Sequence, residues 1–310
     1  MLSGVSVRRP TISLVVVTYN SAGLAAALLD GLGDGPDEVI VVDSGSPDDA
    51  SSLDALEAAH PHAKVVRLAR NVGYGAAANE GTRHASGDVI VVANSDILID
   101  PDDLAALTGV VGTDRVVVAA PRFVGLDGDL ERSAHRRDIG LLTTVHAFCG
   151  PFAHLAKRVA PDWHPSLYPS AEHGQQLDCV HVLGALMAID ARALRAAGGF
   201  DEQFFMYREE TDLCVRLRTA GGRVVHVGSI TATHVGGGST PDAWPYQANT
   251  NSLCSHYLYL AKHRGRVRAW LNRGVGTLAS ALWWLAGPAA KRPIARRALR
   301  WHVGLPVEPS

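Results

Sequence analysis

Short apolar runs rich in valine and isoleucine alternate with alanine- and leucine-rich segments over the first 120 residues. A strand that is apolar at every position is typical of a parallel sheet with helices on both faces. The runs predicted as strands are Ile12–Val17, Val39–Val42, Lys64–Leu68, Val89–Ala93 and Val116–Ala120. The segments predicted as helices are Leu24–Leu32, Pro47–Ala59, Gly75–Ala85 and Pro101–Val111. This order predicts an α/β fold of βαβ units with a mostly parallel sheet.

Two of the predicted strands end in a carboxylate. The run Glu38–Asp43 ends in Asp43, and the run Asp88–Asp96 ends in Asp96. Open α/β sheets bind ligands beyond the carboxyl ends of their strands. One carboxylate could therefore hold a nucleoside and the other a divalent cation on its phosphates. Aspartate is also common in loops and at helix N-caps, but the histidine and acidic cluster downstream favour the ligand interpretation.

The alternation stops after Pro121. The later elements are predicted as a hairpin over Arg122–Leu130, helices over Asp138–Phe148, Arg192–Ala197 and Glu210–Ala220, and strands over Val180–Ile189 and Arg223–Val227. The segment Pro161–Gln176 contains three prolines and is interpreted as a loop over a site or as a plain connector. A break at Gly184–Ala185 in the first of these strands permits close approach by a ligand or another backbone.

Charge is distributed unevenly along the chain. The net charge of −2 over 310 residues argues against a general nucleic-acid binder. Ten of the 29 lysines and arginines nevertheless lie after residue 261, where Glu308 is the only acidic residue. A basic segment on an acidic body indicates an anionic partner, and a membrane surface fits best.

The segment after Asn249 is predicted to be helical. Its most apolar part, Val275–Ala290, is shorter than the roughly 20 residues that a spanning helix needs. Arginines on both sides and the tryptophans Trp283 and Trp284 favour a helix in the membrane interface, and the alternative is a helix pair packed on the domain. The four cysteines are widely spaced without a CxxC pair, which predicts reduced thiols in the cytosol.

An acidic cluster follows a pair of phenylalanines. Glu209 and Asp212 are three residues apart, and Asp212 and Arg216 are four apart, so each pair shares a helix face. Acidic residues also stabilise the first turn of a helix through its dipole. The preceding Phe204 and Phe205 would partly desolvate the carboxylates, which raises a carboxyl pKa and suits a general base.

A histidine and a glycine turn are further candidate ligand contacts. His234 follows a predicted strand and precedes Gly236–Gly238, whose backbone N–H groups suit phosphate. A lone histidine is more often a surface or core residue, but with Asp96 it could complete a site for Mn²⁺ or Mg²⁺. The segment Asn71–Asn79 predicts a turn into a helix of small residues, where the backbone can approach a ligand closely.

Six motifs occur in an order that characterises one enzyme family. They are Val17–Asn20, Val42–Ser46, Asn71–Asn79, Asn94–Asp96, Tyr207–Leu213 and His234. In this order they resemble glycosyltransferase family 2, and most closely its bacterial rhamnosyltransferase-like members. The resemblance implies a GT-A fold with a catalytic domain over residues 1–248, divided into a nucleotide-binding half (11–120) and an acceptor and catalytic half (121–248). A basic helical extension over residues 249–310, associating with a membrane, would follow.

The resemblance also implies an inverting, metal-dependent sugar transfer and assigns roles within it. The residues implied in proton transfer are Glu210 as the base, with Glu209 and Asp212 beside it. The residues implied to bind Mn²⁺ or Mg²⁺ are Asp96 and His234. The residues implied to line the acceptor entrance are Gly184 and Ala185. The implied nucleotide-sugar contacts are Thr18, Tyr19, Asn20, Asp43, Gly73, Asn79, Asn94, Ser95 and Arg216.

The sequence departs from the family pattern at two positions. Asn94 stands where the metal motif has its first aspartate, which removes one anionic ligand. Glu210 stands where aspartate is usual, which makes its carboxylate one methylene longer. Glu209 is therefore an alternative base, and the two departures together suggest a second reading, a nucleotide-sugar binding module without activity.

The resemblance implies a nucleotide-diphosphate sugar as donor, dTDP-rhamnose by preference or a UDP-sugar. The acceptor would be a hydroxyl of a glycan or a polyprenyl-linked glycan in cell-envelope polysaccharide synthesis. Such an enzyme would be cytoplasmic and peripheral on the inner face of the cell membrane, with no nucleic acid as partner. A sugar-phosphate nucleotidyltransferase is disfavoured because Thr18–Ala22 contains no basic residue for a triphosphate.

Overall fold

The computed structural model describes residues 9–47, 49–130, 134–135, 174–235, 250–289 and 292–304. The strands are β1 (Ile12–Thr18), β2 (Glu38–Asp43), β3 (Ala63–Arg67), β4 (Val89–Asn94), β5 (Ile97–Ile99), β6 (Val116–Val124), β7 (Ala134–His135), β8 (Gln176–Asp178), β9 (His181–Val182), β10 (Leu186–Asp190) and β11 (Arg223–His234). The helices are α1 (Ala22–Leu32), α2 (Ala50–Ala59), α3 (Tyr74–His84), α4 (Pro101–Val110), α5 (Ala191–Ala196), α6 (Glu209–Thr219), α7 (Thr250–Arg264), α8 (Arg266–Ala286) and α9 (Arg292–His302).

Nine of the described strands form one sheet in the order β3-β2-β1-β4-β10-β6-β11-β5, with β8 also paired to β11. The first four strands are parallel, as expected for consecutive βαβ units. β10 runs antiparallel between β4 and β6, and β11 is parallel to β6. The α/β fold class predicted from the sequence is confirmed, with β10 as an antiparallel strand inside the sheet.

Helices cover both faces of the sheet because successive side chains of a strand point to opposite faces. Leu14 of β1 belongs to the same buried cluster as Leu28 of α1. The next residue, Val15, belongs to the cluster on the opposite face, with Ala77 of α3 and Leu213 of α6. Every residue of β1 is buried, as its continuous apolar run predicts.

β11 is longer than the sequence predicted. The predicted strand ended at Val227, but β11 continues to His234 after a register irregularity between Val227 and Thr231. After Val227, more exposed residues alternate with buried ones, so the continuation has the pattern of a half-exposed strand. The added length carries His234 to the edge strand β5.

Helices α7, α8 and α9 pack together after the sheet. Leu253 and Tyr259 of α7 form a buried cluster with Phe204, Ala279 of α8 and Ala298 of α9. The helices predicted after residue 249 are therefore present, and the division of the chain into a domain and an extension stays a prediction. No helix in the described ranges combines the length and the apolar character needed to cross a bilayer.

Helix α8 has small and polar residues inside and large apolar residues outside. Its buried residues are Ala269, Asn272, Gly276, Ala279 and Ser280. Its large exposed apolar residues, called the outer face of α8 below, are Val267, Trp270, Leu271, Leu278, Leu282, Trp284 and Leu285. Trp270 is 79% exposed whereas Asn272 is 4% exposed. A helix on the surface of a globular protein usually has the opposite arrangement.

Several predicted features lie outside the described residues. They are the helix over Asp138–Phe148, most of Pro161–Gln176, the glycines Gly236–Gly238 and the thiol of Cys149. The other three cysteines are free thiols, of which Cys179 and Cys214 are buried and Cys254 is exposed.

Candidate active site

The carboxyl ends of β1, β2 and β4 meet at one edge of the sheet. Thr18 is in register with Asp43, and Asn94 is in register with the residue before Thr18. The hydroxyl of Ser21 lies 2.9 Å from that of Thr18 and 2.8 Å from that of Ser95. The structure thus brings together four residues predicted to contact the nucleotide-sugar, at the edge where open α/β sheets bind ligands.

Asp43 is buried and organises the loop that follows β1. Its carboxylate accepts hydrogen bonds from the backbone N–H and the hydroxyl of Ser46. The Ser46 hydroxyl oxygen accepts a 2.7 Å hydrogen bond from the backbone N–H of Asn20. Asn20 has a φ of +51°, which asparagine tolerates better than most residues. Asp43 therefore helps to present Asn20 and the half-exposed Tyr19, and its contact with a nucleoside stays a prediction.

Asp96 and His234 come together because β5 pairs with β11. Ile97 is the register partner of His234, and the backbone N–H of Val235 donates to the carbonyl of Asp96 over 2.8 Å. Nε2 of His234 lies 3.4 Å from Oδ2 of Asp96, and both side chains are partly exposed. The described residues contain no group of three or more His, Cys, Asp or Glu that could hold a metal. One carboxylate and one imidazole are groups that would hold a Mn²⁺ ion if other ligands, such as phosphate oxygens and water, completed the site.

The acidic cluster forms the first turn of α6. Glu209 is buried, and no described residue hydrogen-bonds to its Oε2. Burial and then the charge of Glu210 raise the pKa of Glu209 well above its usual range. Glu210 is partly exposed, and its Oε1 accepts a 2.9 Å hydrogen bond from the hydroxyl of Thr211. Glu210 is therefore the more accessible carboxylate, beside a neighbour for which burial favours the protonated form.

The break at Gly184–Ala185 lies between the donor edge and α6. The carbonyl of Ala185 accepts a 2.8 Å hydrogen bond from the backbone N–H of Asn94. A Cβ at Gly184 would lie 3.1 Å from the Cβ of Glu210, so glycine leaves room for that side chain. The two predicted acceptor residues therefore border both the strand-end residues and Glu210.

Tyr74, the first residue of α3, connects these parts of the site. Its hydroxyl donates a 3.0 Å hydrogen bond to the carbonyl of Gly184. Burial and then the negative charges of Glu209, Glu210 and Asp96 raise the pKa of Tyr74 well above its usual range. The three carboxylates thus act on one phenol. Tyr74 was predicted only as part of a glycine turn, because a partly buried tyrosine has no distinguishing local pattern.

Two predicted nucleotide contacts, Gly73 and Asn79, instead contact the segment 200–208. Gly73 has a φ of +87°, and a Cβ there would collide with the carbonyl of Phe205. The Asn79 amide donates to the carbonyl of Phe200 over 2.9 Å and accepts from its backbone N–H over 2.8 Å. The close approach expected at the glycine turn is therefore an approach to the protein's own backbone. The nucleotide roles of both residues stay predictions.

Asp212 and Arg216 form an ion pair, with Nε of Arg216 2.7 Å from Oδ2 of the fully buried Asp212. The guanidinium also donates to the carbonyls of Ala197 and Gly199, each over 2.7 Å. These bonds brace α6 against the turn after α5, and a contact between Arg216 and a diphosphate stays a prediction.

Asp212 has two further partners that the sequence analysis did not identify. Lys262 Nζ and His263 Nε2 of α7 lie 2.7 and 2.6 Å from its Oδ1. His263 is 51 residues along the chain from Asp212, so no helical spacing indicates the contact.

Comparisons with known proteins agree with this geometry. Residues 13–194 match the family described as Glycosyl transferase family 2. The N-acetylglucosaminyl-diphospho-decaprenol L-rhamnosyltransferase of Mycobacterium tuberculosis is 28% identical over 300 residues, covering 87% of this chain and 91% of the relative.

Two solved structures show the same fold. The mannosyltransferase PcManGT from Pyrobaculum calidifontis, in complex with GDP-Man and Mn²⁺, matches with a TM-score of 0.56 at 20% identity, covering 97% of this chain and 77% of that one. GalNAc-T7 with UDP, GalNAc and Mn²⁺ matches with a TM-score of 0.59 at 14% identity, covering 96% and 56%. The GT-A fold and the resemblance carried by the six motifs are confirmed. On its matched residues and its fold, the chain belongs to glycosyl transferase family 2.

Proposed function

We propose that this glycosyltransferase inverts the configuration of the sugar that it transfers from a nucleoside diphosphate to a glycan hydroxyl. The position of Glu210 carries the proposal. Its side chain lies beside the Gly184 break, and the hydroxyl of Tyr74 donates a hydrogen bond to the carbonyl of the same Gly184. A base on the acceptor side and a cation-binding carboxylate on the donor side are the groups that an in-line sugar transfer needs.

The preferred donor is dTDP-rhamnose, from which rhamnose is transferred, and UDP-sugars are the alternative. The acceptor is a polyprenyl-linked glycan. The support is the relative from Mycobacterium tuberculosis, whose name specifies rhamnosyl transfer to N-acetylglucosaminyl-diphospho-decaprenol. An acceptor with a polyprenyl chain stays in the membrane, so the reaction takes place at the cytoplasmic membrane surface.

Glu210 acts as the general base. Its carboxylate removes the proton of the acceptor hydroxyl as the hydroxyl oxygen attacks the anomeric carbon from the side opposite the diphosphate. The bond from the anomeric carbon to the phosphate oxygen breaks, and the nucleoside diphosphate leaves with the electron pair. A positioned base of this kind contributes about 10²–10⁴-fold to the rate.

Asp96 and His234 hold a divalent cation, Mn²⁺ or Mg²⁺, which when bound neutralises charge on the leaving diphosphate. Thr18, Tyr19 and Asp43 hold the nucleoside at the neighbouring strand ends. Because Asn94 supplies no negative charge, the donor diphosphate has to provide more of the cation's ligands. We therefore expect the cation to bind more tightly when the donor is present.

A transfer assay with the purified protein tests the proposal. The donors are dTDP-rhamnose and UDP-sugars, the acceptor is a short-chain polyprenyl-diphospho-N-acetylglucosamine, and Mn²⁺, Mg²⁺ or EDTA is added. We expect a glycosylated lipid whose anomeric configuration by NMR is opposite to that of the donor. A retained configuration, or activity unchanged by EDTA, would contradict the inverting or the metal-dependent part respectively.

A thermal-shift assay, taken together with the transfer assay, separates an enzyme from an inactive binding module, the alternative that Asn94 and Glu210 suggest. A ligand at a hundredfold excess over its Kd raises the free energy of unfolding by about 2.7 kcal/mol. A Mn²⁺-dependent shift that Asp96→Ala abolishes would support the cation site. A shift without transfer or donor hydrolysis would favour the binding module, and no shift with any nucleotide would contradict both.

We also propose that helices α8 and α9 dock on an anionic membrane surface. The outer face of α8 is apolar, and α9 carries the exposed arginines Arg292, Arg296 and Arg300 one helical turn apart. The chain has no acidic residue between Asp242 and Glu308. Apolar burial and about 1 kcal/mol for each basic residue near anionic lipid both favour binding. The protein should bind phosphatidylglycerol vesicles more tightly than phosphatidylcholine vesicles, and equal binding to both would contradict the role of the arginines.

A further inference from the structure

Helix α7 contacts the segment 200–208 and the start of α6 through polar side chains. The hydroxyl of Ser255 donates to the carbonyl of Met206 over 2.8 Å. About two helical turns further on, Lys262 lies with its Nζ 5.8 Å from the centre of the buried Phe204 ring. These contacts hold the segment that leads into the catalytic carboxylates.

Lys262 joins the beginning of this segment to helix α6, which follows it. Its Nζ lies 2.6 Å from Oδ2 of Asp201, at the beginning, and 2.7 Å from Oδ1 of Asp212, in the first turn of α6. His263 adds a 2.6 Å hydrogen bond from Nε2 to the same Oδ1. Both Asp212 oxygens are thus bound, since Oδ2 accepts from Arg216.

The charge state of Asp212 agrees with this geometry. Burial opposes its ionisation, but hydrogen bonds from Lys262, His263 and Arg216 outweigh burial and hold its pKa below the usual range. A buried carboxylate that loses one of its hydrogen-bonding cations keeps a charge that is less well compensated, which is unfavourable. The position of α6 is therefore sensitive to the two residues of α7.

The backbone before α6 requires such support. Tyr207 and Arg208 both have positive φ, +69° and +72°, although neither is glycine. Residues in this conformation persist only where the surroundings fix them, and they are common at functional sites. The next two residues are Glu209 and Glu210, so a relaxation of this bend would move both carboxylates.

We propose that Lys262 and His263 are positioning residues that set the Glu210 carboxylate through Asp212. The proposal rests on the proposed function, because it takes Glu210 as the base. It makes the C-terminal helices part of the catalytic apparatus: α7 fixes the orientation of α6, and α6 presents the base to the acceptor.

The test compares Lys262→Met with Lys262→Arg and with Arg268→Met, which removes an exposed positive charge from α8. The assay measures kcat and KM on a water-soluble acceptor, donor affinity by isothermal titration, and Tm. Misplacement of a reacting group by about 1 Å can cost about 10²-fold in rate. We expect kcat of Lys262→Met to fall by about that factor while the donor Kd changes by less than about twofold. Lys262→Arg should recover most of the rate, and Arg268→Met should keep it.

A double variant separates positioning from general stability. Lys262→Met with Asp212→Asn removes both charges, so it should recover Tm relative to Lys262→Met while kcat stays low. His263→Gln should lower kcat in the same direction. Normal kcat in the folded double variant, or a fall in donor affinity and Tm in parallel with kcat that Lys262→Arg does not reverse, would overturn the proposal. An inactive wild-type protein would instead contradict the proposed function, so the two failures are distinguishable.

Discussion

The α/β body, which comprises β1–β11 and α1–α6, and the C-terminal helices α7–α9 place apolar and polar side chains in opposite ways. In the body, β1 buries all seven of its residues, and the apolar side chains of Ile12–Val17 supply both faces of the core. In α8, Asn272 and Ser280 are buried while Trp270 and the leucines of the outer face are exposed. The side chains of the body are arranged as expected for a protein surrounded by water, with apolar groups inside. The sequence of α8 instead suits a helix with an apolar neighbour on its outer side.

The two regions also differ in charge, and this difference supports the same conclusion. Every acidic residue proposed to act in the site belongs to the body, and the helices after residue 250 contain none. The four predictions below test the division between a catalytic body and a membrane-binding surface, from the largest expected effect to the smallest.

The largest effect concerns the location of the chemistry. Glu210→Gln keeps the shape of the side chain but removes its basicity, so kcat should fall by about 10²–10⁴-fold. Donor affinity by isothermal titration should be unchanged because the proposed donor contacts lie at the strand ends. The control is Glu80→Gln, which changes another carboxylate of the body, one that forms an ion pair with Arg83 on α3. A loss below about tenfold would move the role of base to Glu209 or Asp212.

The second effect concerns the outer face of α8. Replacing Leu278 and Leu282 by serine should weaken binding to anionic vesicles by about 10²-fold or more, since each buried leucine contributes about 1.5–3 kcal/mol. Tm should hardly change because both side chains are exposed. Leu126→Ser, at a 72% exposed leucine of the body, is the matched control and should leave vesicle binding intact. A large fall in Tm would show that the outer face is packed within the protein.

The third effect is the response of the two regions to acid. Burial and then the charge of Arg208 lower the pKa of His256 to about 3. Burial and then the charge of Arg273 lower the pKa of His302 to about 4. Both are neutral in the folded state, while in the unfolded state they are protonated below about pH 6.5. Stability is therefore lost as pH falls below 6.5, by about 2 kcal/mol for each histidine between pH 6.5 and 5.

Asp212 in the body behaves differently, because its lowered pKa means that its contribution is lost only below about pH 4. Protection factors from hydrogen exchange, which correct for the slower intrinsic exchange of amides in acid, should therefore be lower in α7–α9 at pH 5.0 than at pH 7.5, with little change in β1 and β4. His302→Gln should reduce the difference. An equal loss of protection in both regions would contradict the prediction.

The smallest effect concerns Glu209. Its raised pKa means that the folded state keeps the proton above about pH 4.3, where the unfolded state loses it, so stability falls as pH rises. Glu209→Gln removes this cost, and each 1 kcal/mol gained should raise Tm by about 2–4 °C at pH 8. The gain should vanish at pH 4. A lower Tm at pH 8 would show that the ionised carboxylate is stabilised in the folded protein.

The sequence predicted the features that depend on local patterns. Continuous apolar runs predicted β1, β2 and β4, and the carboxylates at their ends predicted the edge where Asp43 and Asp96 lie. The pairing of Asp96 with His234 was predicted from their ligand chemistry and from the resemblance, whereas no local spacing indicates it because a long segment separates the two residues. The end of β11 was predicted at Val227 because the run becomes half-polar there.

Contacts between distant segments could not be predicted. The carbonyl of Phe205 explains why Gly73 is glycine, yet the sequence around Gly73 fits a ligand equally well. Lys262 and His263 occur in a basic segment whose composition indicated only a surface for lipid. Their contact with Asp212 depends on how α7 packs on α6, which no spacing within either helix contains.

The bonds from Lys262 to Asp201 and Asp212 limit how this protein can be recombined with its relatives. A chimera that exchanges the segment after residue 250 would leave two acidic groups of the body without their cation unless the incoming helix supplies one at the same place. If Lys262 has the proposed role, any domain exchange or truncation of this protein would have to keep α7 together with the body.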